Sequence, residues 1–130
     1  MIQKLLLLSF VAFTAVFAAH EKPEISIEIL KEGTGELVPN MSNVKCHYVL
    51  NLEDGTKIDS SRDRGSPFEF QVGKGMVIQG WEQGIIRMRK GERSLITIPS
   101  ELGYGSRGAG GRIPGGATLK FDVEILDFSN

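Results

Sequence analysis

Residues that could carry a covalent reaction are few in this 130-residue chain, and most of their arrangements fail on their surroundings. Gly103-Tyr104-Gly105-Ser106-Arg107-Gly108 fits the dinucleotide pattern G-x-G-x-x-G, but Gly110, Gly111, Pro114 and Gly115 follow where a helix would have to begin. Gly73-Lys74-Gly75 lacks the serine or threonine of a phosphate-binding loop. Ser60 and Ser61 have no histidine near them in sequence and no nucleophile elbow around them, so hydrolysis is not expected. His20, His47 and the single cysteine, Cys46, cannot assemble a metal cluster at ligand spacing. His47 falls on the polar side of a strand and reads as a solvated side chain or a cross-strand neighbour. Neither a metal nor a cofactor is expected.

What remains is a set of aromatic residues. Tyr48, Phe68, Trp81, Tyr104 and Phe121 come from five different segments. If they converge, they line an apolar pocket with Asp59 at its edge, the general form of a ligand site. The same rings could equally be ordinary core, because aromatics cluster in cores. Trp81 concentrates that choice: it is either core or the floor of a pocket. In both cases its ring N–H needs a partner when buried.

The elements that must position these residues follow from periodicity. Val77, Ile78, Trp81, Ile85 and Met88 recur at spacings of three and four, which predicts one helix from about Val77 to Met88. Gly80 and Gly84 inside it weaken a helix by about 1 kcal/mol each, so a close packing partner is expected there. Arg87, Arg89, Lys90 and Gly91 read as its C-terminal stop. Strands are expected elsewhere. Ile25, Ile27 and Ile29 alternate in Glu24–Leu30; Val44, Cys46, Tyr48, Leu50 and Leu52 alternate in a longer strand. Glu53-Asp54-Gly55 is a turn signal, and Lys57–Gln71 reads as one strand interrupted by a charged, bulging loop. Arg93–Ile98 is a strand, Pro99–Gly116 a long glycine-rich loop, and Thr118–Asp127 alternates with Leu119, Phe121, Val123 and Ile125 inward. The sum is an α+β domain: a curved antiparallel sheet of about five strands wrapped around one short helix.

Composition narrows the setting. Net charge is −1 with the charges interspersed, so nucleic acid is not an expected partner. The N-terminal segment combines Lys4, an uncharged apolar run from Leu5 to Phe17, and small residues at Val16, Ala18 and Ala19. This is the pattern of a secretory signal peptide cut after Ala18, the run being short for a membrane span; an uncleaved N-terminal anchor is the alternative. Residues 1–18 are therefore expected to be removed, leaving 19–130 as one domain with its core in about 24–127. The expected product carries no membrane segment and is a monomer of the secretory pathway, in the endoplasmic reticulum lumen or secreted. Asp127-Phe128-Ser129-Asn130 does not form a KDEL-like retention signal. Cys46 has no partner for an internal disulfide and is expected to be a buried, inert thiol. Asn40-Met41-Ser42 is an N-glycosylation sequon in an expected loop.

Several blocks, in order and nearly continuous from Gly33 to Leu126, resemble the FKBP-type peptidyl-prolyl cis/trans isomerases, and among them the small secretory-pathway members. They include Asp59-Ser60-Ser61-Arg62-Asp63-Arg64, Pro67-Phe68, Val77-Ile78-Gln79-Gly80-Trp81, Leu102-Gly103-Tyr104-Gly105, Ile113-Pro114-Gly115-Gly116-Ala117-Thr118-Leu119 and Phe121-Asp122-Val123-Glu124. The resemblance implies rotation of X–Pro bonds in proline-containing polypeptides, with macrolide immunosuppressants of the rapamycin type as pocket ligands. It places Trp81 beneath the substrate proline ring, with Tyr48, Phe68, Val77, Ile78 and Phe121 as walls. It makes the Ile78 N–H and the Tyr104 hydroxyl donors to carbonyls of the ligand, and closes one side with Ile113. Asp59 is the polar group nearest the rotating bond, and Arg64 holds Asp59 and Tyr48. The residue before the aspartate is usually phenylalanine; here it is Ile58, which would form part of the wall around the amide. A binding chaperone or adaptor with weak catalysis is the alternative that Ile58 favours. Arg89 stands where some secretory members have a disulfide cysteine, and Ala109-Gly110-Gly111 where cytosolic members commonly have histidine and proline.

Overall fold

The computed structural model describes residues 22–130. The expected signal segment, its cleavage point and His20 lie outside them. Strands β1 (Ser26–Lys31), β2 (Asn43–Leu52), β3 (Lys57–Ser60), β4 (Phe68–Gln71), β5 (Arg93–Ile98) and β6 (Leu119–Ser129) form one antiparallel sheet in the order β1-β5-β6-β2-β3, with β4 also on β2. The short helices are α1 (Ser61–Arg64) and α2 (Gln79–Ile85).

The sheet has six strands in five lanes. β3 pairs with the later part of β2, Val49 to Asn51, and β4 with its earlier part, Asn43 to Cys46. β6 occupies the other edge of β2 along its full length. The expected single interrupted strand is thus one lane broken in two. The break is not only a bulge but holds α1, a single helical turn absent from the sequence reading. Ser60 starts it by accepting the Asp63 N–H at 3.1 Å, and Gly65 ends it in the left-handed region at φ 70°.

Alternation places the core on one face. Leu119, Phe121, Val123 and Ile125 of β6 are buried, as are Ser94, Ile96 and Ile98 of β5. The intervening positions carry charges that pair across the outer face. Arg93 holds Asp122 through two bonds of 2.9 Å, and Arg62 holds Glu124 at 2.6 Å. β1 departs from expectation: Ile25 is buried, but Ile29 is 49% exposed where the register shifts between Ile29 and Lys31. Cys46 is buried in the core, and burial pushes its thiol up to about 12.

α2 lies on the apolar face but is shorter than the periodicity predicts. Ile78 is the extended residue before it and supplies no side-chain cap. After Ile85 the chain winds on through tighter bonds, Arg87 N–H to Gly84 C=O at 3.0 Å and Met88 N–H to Ile85 C=O at 3.1 Å. Met88 is still buried, so the apolar periodicity outlasts the helix. Arg87, Arg89 and Lys90 fall beyond its last turn, so they do not act as the helix-end cations expected from sequence. The two glycines have the anticipated role. A Cβ on Gly80 would meet Ile98 Cδ1 and Cγ2 at 2.5 Å, and one on Gly84 would meet Ile96 at 3.1 Å and Ile25 at 3.3 Å.

Gly80→Ala tests that contact. Alanine favours the helix by about 1 kcal/mol, but overpacking a filled core destabilises by about 1–3 kcal/mol. With three Ile98 atoms in the way, the clash should win. A lower urea midpoint with an altered Trp81 emission is expected; an unchanged or raised midpoint would refute the close approach.

Candidate functional site

The glycine contacts press α2 onto β5 and bring Trp81 into a ring of aromatic side chains. Trp81 is 3% exposed. Tyr48, Phe68, Phe70 and Phe121 surround it with centroid distances of 5.4, 5.9, 5.5 and 5.2 Å, their planes tilted 63–87° from the indole. Such edge-to-face contacts favour aromatic pairs beyond their burial. Tyr48 also meets Phe68 edge-on at 5.7 Å. The expected partner for the indole N–H is not found: Nε1 is buried with no hydrogen bond among the described residues.

Above this floor opens a cavity of about 370 Å³. Tyr48, Phe68, Val77, Ile78, Trp81, Tyr104 and Phe121 line it, with Asp59 at the polar side. Eight of the residues singled out from sequence therefore converge. Three others do not reach the lining. Ile113 is buried in the core, and half-buried Ile58 packs against that core. Arg64 is exposed and touches the cavity only through Asp59 and Tyr48. Leu50 and Met76 line the cavity unannounced. Leu50 alternates with Tyr48 and reads as core. Met76, 62% exposed, lies in an aperiodic turn that gives no pattern to read.

The turn that carries Met76, Val77 and Ile78 is held by Glu82. Its carboxylate accepts the Gly73 N–H at 3.1 Å and the Gly75 N–H at 3.1 Å, both glycines having positive φ. Ile78 C=O accepts from Trp81 and Glu82, whereas its N–H donates to no described residue.

The polar side is a compact network. Tyr48 Oη donates to Asp59 Oδ2 at 2.5 Å, Arg64 donates to Asp59 Oδ1, and the Ser60 N–H reaches the same oxygen at 2.8 Å. The Arg64 guanidinium also reaches Tyr48 Oη at 3.3 Å and lies 5.8 Å from the Tyr48 ring centre. Burial pushes the Asp59 carboxyl up, but the bonds from Tyr48 and Arg64 and the guanidinium charge outweigh it and hold the group below the usual carboxylate range. Burial, and then the bond to Asp59, push the Tyr48 phenol up.

Two supports escaped the sequence reading, because their partners are distant in the chain and mostly backbone. Buried Ser61 accepts the Tyr48 N–H at 2.8 Å and lies 2.9 Å from His47 Nδ1. Ser61 is 0% exposed, so this serine–histidine pair braces β2 against α1 and presents no nucleophile to the cavity. Arg112, from the glycine-rich loop, donates to the Ile58 carbonyl at 2.7 Å and the Lys57 carbonyl at 3.2 Å. It ties that loop to the strand carrying Asp59. The whole arrangement is an apolar cavity over Trp81, with the Ile78 N–H unpaired among the described residues and the Asp59 network at its polar side.

Comparison with known proteins agrees with this geometry. The sequence profile described as FKBP-type peptidyl-prolyl cis-trans isomerase matches residues 35–126. The chain is 51% identical over 104 residues to FK506-binding protein 1 of Dictyostelium discoideum, covering 80% of this chain and 97% of that protein. It is 40% identical over 122 residues to FK506-binding protein 2 of the same organism, covering 94% and 92%. Human peptidyl-prolyl cis-trans isomerase FKBP2 is 58% identical over 80 residues, 62% of this chain and 56% of that protein.

The Asp59 network predicts a pH signature. A carboxylate with a depressed folded pKa contributes stability above its unfolded value of about 3.9 and loses it as pH falls through the folded value. Arg64→Ala and Tyr48→Phe each remove a group that favours the charged form. Carbon-detected NMR titration should find the Asp59 midpoint raised in both variants, and an unmoved midpoint would refute the network.

Proposed function

The chain belongs to the FKBP-type peptidyl-prolyl cis-trans isomerase family, and from that premise we propose that it accelerates X–Pro rotation in polypeptides folding in the secretory pathway. The observation that carries the reading is the apolar cavity floored by Trp81, with the Tyr48–Asp59–Arg64 network at one side. The secretory part rests on the N-terminal pattern, with residues 1–18 removed and 19–130 forming the mature domain.

Rotation makes and breaks no covalent bond. Its barrier of about 18–20 kcal/mol is the resonance that keeps the amide flat. The planar amide is strongly dipolar, and twisting it removes part of that dipole. An apolar enclosure solvates the planar form less well than water does, which narrows the gap between ground and transition states. In this reading the proline ring sits on Trp81 between Tyr48, Phe68 and Phe121. The Ile78 N–H and the Tyr104 hydroxyl donate to flanking carbonyls and hold the peptide in a turn. Asp59, kept ionised by Tyr48 and Arg64, faces the rotating bond. A rate gain of around 10⁵ requires about 7 kcal/mol from these effects together. The same cavity takes macrolides of the FK506 and rapamycin type.

A second reading, a peptide-binding chaperone or adaptor with weak catalysis, is favoured by one observation. Ile58, in the position where an aromatic wall is usual, does not reach the cavity lining.

The test is proline-limited refolding with the mature domain. Acceleration blocked by a macrolide is expected, with kcat/KM reduced about tenfold, or 1.4 kcal/mol, in Tyr48→Phe and Asp59→Val. No acceleration over buffer would sink the isomerase reading. Tight macrolide binding with negligible rate, restored by Ile58→Phe, would establish the second.

A further inference from the structure

The sequon Asn40-Met41-Ser42 lies outside the cavity and has no part in the proposed catalysis. It folds as a tight turn. The Pro39 carbonyl accepts the Ser42 N–H at 3.3 Å, and Met41, at φ 71°, is the one non-glycine residue with positive φ among the described residues. An L-residue in that region is disfavoured by roughly 1–2 kcal/mol, so the surroundings must enforce it. They do: the Met41 N–H donates to Val72 C=O at 3.0 Å, the Val72 N–H to Ser42 C=O at 3.1 Å, and Gln71 Nε2 to Met41 C=O at 2.8 Å.

The two functional groups of the sequon end in opposite states. Asn40 is exposed, and its amide nitrogen makes no hydrogen bond to a described residue. Ser42 is 1% exposed, and its hydroxyl donates to the Pro39 carbonyl at 2.7 Å. A transferase must engage the hydroxyl as well as the asparagine, and after folding it can reach only the asparagine.

We propose that Asn40 carries an N-linked glycan, attached before this turn closes onto Val72. The claim rests on the secretory part of the proposed function. The donor is a lipid-pyrophosphate-linked oligosaccharide. Asn40 Nδ2 bonds to the anomeric carbon, the carbon–oxygen bond to pyrophosphate breaks, the lipid pyrophosphate leaves with the electron pair, and the amide proton passes to a base of the transferase. No oxidation occurs. The folded chain accommodates the product because Asn40 is at the surface. The glycan then stands beside the start of the turn that leads to Met76, since Asn40 Oδ1 lies against Gly73. Asn40 is not among the residues lining the cavity.

The full chain is expressed with its own N-terminus in a eukaryotic cell, and its intact mass and N-terminal sequence are read before and after peptide-N-glycosidase. The expected result is a chain starting after residue 18 that loses a glycan mass and gains aspartate at position 40. Asn40→Gln and Ser42→Ala should both lack the glycan. Purified unglycosylated protein should accept glycan from the transferase and its lipid donor only when unfolded. The kcat/KM of the glycosylated chain and of Asn40→Gln should agree within about twofold. A processed but unmodified chain overturns the glycan and leaves the secretory reading standing; an unprocessed and unmodified chain overturns both. Equal transfer to the folded protein overturns the order of events.

Discussion

The contact on which the rest of this molecule depends is the approach of α2 to β5, made without a side chain at Gly80. A helix normally stands off a sheet by the thickness of its side chains. Here Ile98 occupies the place a Cβ would take. The missing methyl lowers the helix, and the lowered helix sets Trp81 edge-on among Tyr48, Phe68, Phe70 and Phe121. The poor helix propensity of glycine is outweighed by packing, and the short, uncapped α2 shows that little else in its own sequence sustains it. Floor and fold are one contact, so the position of Trp81 depends on the core beneath it.

The polar side is built by different physics. Asp59 would be disfavoured beside so apolar a surface were it not bonded by Tyr48, Arg64 and the Ser60 N–H. α1 makes this possible. By filling the gap between β3 and β4, its single turn carries Arg64 back to Asp59 and places Ser61 under the Tyr48 backbone. Tyr48 therefore belongs to both halves: its ring is a wall against Trp81, and its hydroxyl fixes the carboxylate.

Much of this was legible in the residues, and the boundary is physical. Periodicity reports which face of an element is buried, so the inward set Leu119, Phe121, Val123 and Ile125 could be read directly. So could the single lane of Lys57–Gln71, although not the helical turn inside it. Periodicity overestimated α2 because Met88 stays buried after the helix has ended. The resemblance brought together residues from five segments, which no local pattern can do. It also included Ile58 and Ile113, which pack with the same core as Trp81 and Tyr48 but are not among the residues lining the cavity. Arg112 on the Ile58 carbonyl, Ser61 on the Tyr48 N–H and Glu82 on two glycine amides escaped for one reason. Each is a side chain bonded to backbone, and backbone carries no sequence signal.

Cys46 gives the molecule a use unrelated to its pocket. It is the sole thiol in the chain, sealed between β2 and the core, and burial holds it in the unreactive protonated form. A reagent that modifies thiols must wait until β2 comes away from β6 and β4 and the core against it opens. The rate at which the label appears then reports how often the sheet opens, with no engineered probe. The same seal keeps folded copies from cross-linking in an oxidising environment, leaving only opened chains to be captured as mixed disulfides. Cys46 is in effect a built-in marker that separates intact molecules from those that have come apart.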